Sequence, residues 1–162
     1  MSPLESLPHK IDLDGANNFR DMGGYPTANG RLVKRGMLYR SDHLGKLSDA
    51  DQQVLVDLGV RTVVDLRRRE ERDEVLDRVL DPTINQVWLP VAAEGADVQS
   101  LRRGLEAGRI DAAGAHDFLV TANRDFVQVF SHVFSDFLHL LLDEANYPLV
   151  FHCSAGKDRA GF

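Results

Sequence analysis

An α/β fold, with a mostly parallel central sheet flanked by helices, is predicted by three features of the chain. Short β-branched or apolar runs alternate with runs of helical period, the pattern of strands joined by crossover helices. The last apolar run, Pro148-Leu149-Val150-Phe151, leads straight into a polar, glycine-containing loop, the usual relation of a parallel strand to a ligand site at its carboxyl end. And 162 residues, 43% of them hydrophobic and 27% charged, suffice for one domain with a buried core, taken as residues 1–162.

The elements follow in order. Residues 31–33 and 37–40 flank Lys34-Arg35-Gly36 and predict two short strands of a hairpin. Ser48 is a good N-cap for a helix with acidic residues in its first turn; Val54, Leu55 and Leu58 give it an apolar face, and Gly59 ends it. Residues 60–66 (VRTVVDL) predict a strand, and the charged run 67–77 a helix. Residues 84–91 predict another strand, closed by Pro90. The Gly/Ala-rich stretch 95–114 is weakly patterned and predicts a loop with short helical pieces. From Asp117 the helical pattern strengthens, and residues 126–142 predict a core helix whose stripe is Phe126, Phe130, Val133, Phe134, Phe137 and Leu141.

Composition excludes several classes. A net charge of −6 argues against general nucleic-acid binding. A single cysteine makes no internal disulfide, so nothing suggests an oxidising compartment. The N-terminus MSPLESLPHKIDLDG has no apolar core of a secretory signal, and no apolar run approaches the length of a membrane span. A cytoplasmic protein is expected, although a non-classical secretion route would leave no mark in the sequence.

That lone cysteine stands in His152-Cys153-Ser154-Ala155-Gly156-Lys157-Asp158-Arg159, six positions before an arginine and just after a buried strand. A loop of this length can curl its backbone N–H groups around a tetrahedral oxyanion. The amides of Ser154, Ala155, Gly156 and Lys157 would line such a loop, with the Cys153 thiolate at its base and the Arg159 guanidinium gripping two phosphoryl oxygens. The amides, a following helix N-terminus and Arg159 all favour the thiolate. Protonating a leaving oxygen and then activating water suits a carboxylic acid, and Asp158 lies within the loop itself. No metal or other cofactor is expected, because amides and a guanidinium hold the oxyanion. A rhodanese-type sulfur-transfer loop also carries a cysteine at a strand end, but generally lacks the Gly-Lys-Asp-Arg continuation; a purely structural cysteine is the remaining alternative.

HCSAGKDR-x-G resembles the signature of the protein-tyrosine phosphatase superfamily, in the bacterial branch typified by the mycobacterial secreted tyrosine and phosphoinositide phosphatase B. Asn18-Phe19-Arg20-Asp21-Met22-Gly23-Gly24-Tyr25, Leu38-Tyr39-Arg40-Ser41, and Asp65-Leu66-Arg67 followed by Glu70-Glu71 are similar to its other segments, in the same order. The resemblance implies a cysteine-phosphatase-like fold and a phosphotyrosine protein or phosphoinositide as substrate. It implies Cys153 as nucleophile, Arg159 as phosphate clamp and Asp158 as general acid and base, with Lys157 as an extra phosphate contact associated with phosphoinositides. Arg20 lies near the substrate or pairs with Asp21. Asp65 is a helix N-cap or a second acid that meets substrate. Asp97 is the alternative general acid.

Two departures stand out. Ala160 occupies the place of a Thr or Ser whose hydroxyl eases expulsion of the cysteine sulfur. The sequence also stops at Phe162, three residues after Arg159, without the helix expected to complete the anion site or the later helices of the family. A fragment of a longer phosphatase is therefore expected, weak or inactive as 162 residues alone. The competing reading is a catalytically impaired domain that binds phosphoryl groups without turning them over.

Overall fold

The structure, a computed structural model, describes residues 10–92 and 98–162. The strands β1 (Arg20–Asp21), β2 (Leu38–Ser41), β3 (Thr62–Asp65), β4 (Asn85–Trp88) and β5 (Leu149–His152) form one sheet in the order β1-β2-β5-β3-β4. All neighbours run parallel except β1 and β2. The central strands β3 and β5 are buried along their whole length, which is why they read as continuous apolar runs. Their period-2 alternation divides the core. Val63 and Val150 join Phe19, Tyr39, Leu44 and Leu55 on one face. Val64, Leu149 and Phe151 join Ala122, Phe126 and Val133 on the other.

Helix α1 (Asp49–Asp57) covers the first face through Leu55. Its N-terminus is a reciprocal capping box: Ser48 Oγ accepts from Asp51 N at 3.2 Å, and Asp51 Oδ2 accepts from Ser48 N at 2.8 Å. Gly59, at φ +66°, ends it as expected. The charged run is helical only as α2 (Arg69–Glu74), because Arg67 and Asp77 at its two ends turn inward and pair with each other. Helix α3 (Val98–Glu106) is the main helical piece of the stretch 95–114, and α4 (Ala112–Gln128) starts earlier than Asp117, capped by Asp111 on Gly114 N at 2.8 Å.

Two expectations are corrected. Residues 31–33 do not pair with 37–40. The chain turns instead at Thr27–Gly30, where Thr27 N donates to Arg31 O, and the bridge joins Pro26 to Leu32. The hydrogen-bonding groups of β2 go to β5 and β1, a better burial for Tyr39 and Ser41 than an exposed hairpin. The long apolar helix also breaks: α4 ends before Val129 and α5 (Ser131–Leu140) begins two residues on. On an unbroken helix Phe126 and Phe134 would be about 12 Å apart along the axis. The break brings their rings to 5.9 Å edge to face.

Candidate active site

Strand β5 delivers the loop. His152 is fully buried at its end, and Cys153, 3% exposed, follows at the carboxyl edge of the sheet. The loop is then shaped from outside. Asn18 Nδ2 donates to the carbonyls of Ala155 and Gly156, each at 2.9 Å. Arg40 donates to the carbonyls of Gly156 at 2.8 Å and Lys157 at 3.1 Å. His43 N reaches Ser154 O at 3.4 Å. A trans peptide points its C=O and the following N–H in opposite directions. Four outward carbonyls therefore turn the N–H groups of Ala155 to Asp158 to the other side of the loop, and among the described residues no acceptor takes them. That is the geometry of an anion nest. Gly156 makes it possible: at φ +64°, it lies so near β2 that a Cβ would come within 2.4 Å of Ser41 O.

Arg159 returns to the site at the start of a 3-10 turn, Arg159–Gly161. Its buried guanidinium is gripped fork to fork by Glu71, Nη1 to Oε2 at 2.6 Å and Nη2 to Oε1 at 2.7 Å. Ser154 Oγ donates to the same carboxylate at 2.5 Å. Burial alone would raise the Glu71 pKa, but the Arg159 and Ser154 contacts win and hold it at about 2. Cys153 lies within electrostatic reach of both Arg159 and Arg40. Burial and the nearby Arg20 pull the Arg40 pKa down, so this edge is crowded with positive charge.

Behind the loop, His152 Nε2 stands 2.9 Å from Asp77 Oδ2. Arg67 Nη2 lies 2.9 Å from both Asp65 Oδ2 and Asp77 Oδ1. Burial opposes ionisation of Asp77, yet His152, Arg67 and the Leu44 amide keep its pKa below the usual range. Asp65, Asp77 and His152 have ligand atoms within 4.8 Å of one another, the spacing of a metal site. Arg67 already supplies the cation between the two carboxylates, so the group fits an ion-pair network better than a metal centre.

The predicted residues are thus not all alike. Cys153, Ser154, Ala155, Gly156, Lys157, Asp158 and Arg159 form one loop, with Lys157 exposed and Asp158 half-buried. The Asp158 carbonyl accepts from Gly161 N and Phe162 N, while its carboxylate has no hydrogen-bond partner among the described residues. Asp65 does not cap α2, whose N-cap is Arg68; it accepts from Arg67 N at 2.8 Å and binds the Arg67 side chain, closing the turn after β3. Arg20 makes no ion pair with Asp21. It donates to Asn18 Oδ1, one bond removed from the loop, while Asp21 accepts from Gly23 N and Gly36 N. Ala160 is buried in the apolar cluster that contains Cys153. Asp97 lies outside the described residues. Asn18, Arg40 and Glu71 sit inside motifs visible in the sequence, although their part in holding the loop was not; Asp77 carried no signal.

The sequence profile of the tyrosine phosphatase family matches residues 11–162. A Cupriavidus necator protein provisionally named a tyrosine-protein phosphatase is 32% identical over 154 residues, covering 95% of this chain and 55% of its own length. The triple specificity protein phosphatase PtpB of Mycobacterium tuberculosis is 30% identical over 170 residues, covering 93% and 60%. A Nostoc commune tyrosine-protein phosphatase is 25% identical, covering 99% and 51%. The chain therefore spans between about half and three fifths of the length of these curated relatives. Among solved structures, TpbA of P. aeruginosa in complex with pTyr superposes with a TM-score of 0.43 at 19% identity, covering 96% of this chain and 64% of that one. With the family's profile running from Ile11 to Phe162 and a cysteine loop assembled at the carboxyl edge of the sheet, this chain belongs to the tyrosine phosphatase family.

Proposed function

We propose that the protein hydrolyses phosphate monoesters through a cysteinyl-phosphate intermediate. The observation that carries this reading is the outward turn of the loop carbonyls of residues 154–157 beside a buried thiol, with Arg159 brought back to the same loop. The Cys153 thiolate attacks phosphorus as the ester P–O bond breaks, and Asp158 gives its proton to the departing oxygen. The loop amides and Arg159 neutralise the charge on the phosphoryl in flight. Asp158, now ionised, takes a proton from water, which displaces the Cys153 sulfur and releases phosphate. Nothing in these steps calls for a divalent ion.

Phosphotyrosine proteins are the first substrate class, in keeping with the family. Phosphoinositides are the second: Lys157 is exposed beside the loop, and Arg20 and Arg40 lie next to it. The lone cysteine supports a cytoplasmic location, and no helix of the described residues is long and apolar enough to cross a membrane. The test is p-nitrophenyl phosphate hydrolysis. Cys153→Ser abolishes turnover while vanadate still binds, and Asp158→Asn slows poor leaving groups more than good ones. Residual turnover in Cys153→Ser defeats the nucleophile assignment, and a leaving-group effect in Asp97→Asn alone moves the acid to Asp97.

A second reading, a phosphoryl-binding domain without turnover, is favoured by Ala160, which has no hydroxyl for the Cys153 sulfur. A donated O–H stabilises a departing thiolate. Ala160→Thr is therefore expected to raise steady-state turnover with an unchanged burst rate; no turnover in either protein, with phosphate bound, establishes the binding domain.

A further inference from the structure

On the far side of α2 from Arg159, two arginines converge on one indole. The Arg69 and Arg72 guanidinium carbons stand 5.0 and 4.9 Å from the centroid of the Trp88 ring. Trp88 Nε1 donates to Arg67 O at 2.9 Å, which pins the ring at the carboxyl end of β4. Arg69 is exposed, and Arg72 and Trp88 are half-buried. Among the described residues neither arginine has a carboxylate partner, in a chain of net charge −6. Stacking engages the face of a guanidinium and leaves its edge, the N–H fork, free for a carboxylate. The two guanidinium groups thus form a planar, cationic spot on a helix whose exposed Glu70, Asp73 and Glu74 lie beside it.

Its place relative to the loop is set by the sheet. Trp88 is in register with Asp65, and Asp65 with His152, the residue before Cys153. Two strand spacings put Trp88 about 10 Å from His152, the span of about three residues of extended chain. Helix α2 joins the two places rigidly, since Glu71 holds Arg159 and Arg69 and Arg72 hold Trp88. We propose that Trp88, Arg69 and Arg72 form a docking surface for an acidic side chain of a substrate polypeptide, about three residues from its phosphorylated residue. The inference rests on the phosphatase reading for its substrate, and on the arginine–indole geometry for its site. A carboxylate on an extended peptide suits it better than a lipid surface, because the cations occupy one narrow shoulder of the sheet.

Trp88 is the only tryptophan, so its emission reports on this surface without any turnover. Titration of the whole protein with a hexaglutamate peptide is expected to change Trp88 emission saturably and in a salt-sensitive way. The Arg69→Ala/Arg72→Ala double variant is expected to lose that response while hydrolysing p-nitrophenyl phosphate as before, which also shows that it folds. Of two phosphotyrosine peptides, one with Glu and one with Ala three residues from the phosphotyrosine on either side, the acidic one is expected to show a KM about three- to tenfold lower. That preference disappears in the double variant and is partly kept in Arg69→Lys/Arg72→Lys, which retains charge without the planar fork. Equal KM values in the wild type overturn the proposal, as does an emission response that survives in the double variant. A response to phosphatidylserine vesicles and none to the peptide assigns the surface to membranes and overturns it too. An intact peptide response in a wild-type protein that hydrolyses nothing supports the docking surface and removes the phosphatase reading instead.

Discussion

Glu71 decides where Arg159 points. Its two oxygens engage one edge of the guanidinium; on the proposed phosphatase reading the remaining edge serves the phosphoryl group, and Glu71 is a positioning residue. Glu71→Gln keeps the shape but leaves a buried arginine without its counter-charge. It is expected to destabilise the fold by about 3 kcal/mol and to raise KM for p-nitrophenyl phosphate by about tenfold, measured by urea unfolding and steady-state kinetics. An unchanged KM in a folded variant removes the positioning role. At this scale the sequence is informative where chemistry demands a fixed spacing, as between Cys153 and Arg159. It is silent where a pair is joined only by folding: nothing local shows that Glu71 and Arg159, 88 residues apart, will meet. Asp65 is ambiguous for a related reason. An aspartate at a strand end suits both a cap and a catalytic acid, and its contact with the buried Arg67 comes only from the fold.

Among the elements, α1 was the most legible, because a capping residue and a terminal glycine act through their immediate neighbours. The structure adds a duty for Asp51, which also accepts from Asp14 N at 2.9 Å and Gly15 N at 2.8 Å and so fastens the N-terminal segment to the helix. Ser48→Ala is expected to cost about 1 kcal/mol in urea unfolding, and Asp51→Asn more, since three backbone donors share its carboxylate. Equal losses would show that the two outside donors contribute nothing. The predicted hairpin fails because the sequence shows strand character in residues 37–40 and not the strand they pair with. The pairing of Leu38 with Leu149 is decided by burial across more than a hundred residues of chain. The break between α4 and α5 has no glycine or proline to announce it. It follows from the demand that Phe126 and Phe134 pack together.

For the molecule as a whole, acid stability follows from the direction of these shifts. Glu71, Asp51 and Asp77 all have folded-state pKa values below their ordinary ones. In each, burial pulls the other way and is outweighed by hydrogen bonds, joined by charge partners at Glu71 and Asp77. Carboxylates of this kind stabilise the fold above about pH 4, the unfolded value, and that stability drains away as the pH falls through their folded values, about 2 for Glu71. His43 acts one window higher. Burial and the Arg67 charge lower its pKa, so protons bind the unfolded chain more readily and stability starts to fall below about pH 6.5. Urea midpoints are expected to decline in two stages, the first as the pH falls below about 6.5 and the second below about 4, and His43→Gln is expected to remove only the upper one. A single stage that His43→Gln leaves unchanged contradicts this.

The bonds that shape the cysteine loop reach back 137 and 138 residues to Asn18, 116 to Arg40 and 88 to Glu71. A contact order this high means that the cradle has no independent existence. Its form arrives only when the amino-terminal segment and the middle of the chain have both docked, late on the folding route. Occupancy and global folding are thermodynamically linked as a result. An oxyanion seated in the loop favours the native ensemble by RT ln(1 + [L]/Kd), and the protection is shared by the entire sheet, from β1 at one edge to β4 at the other.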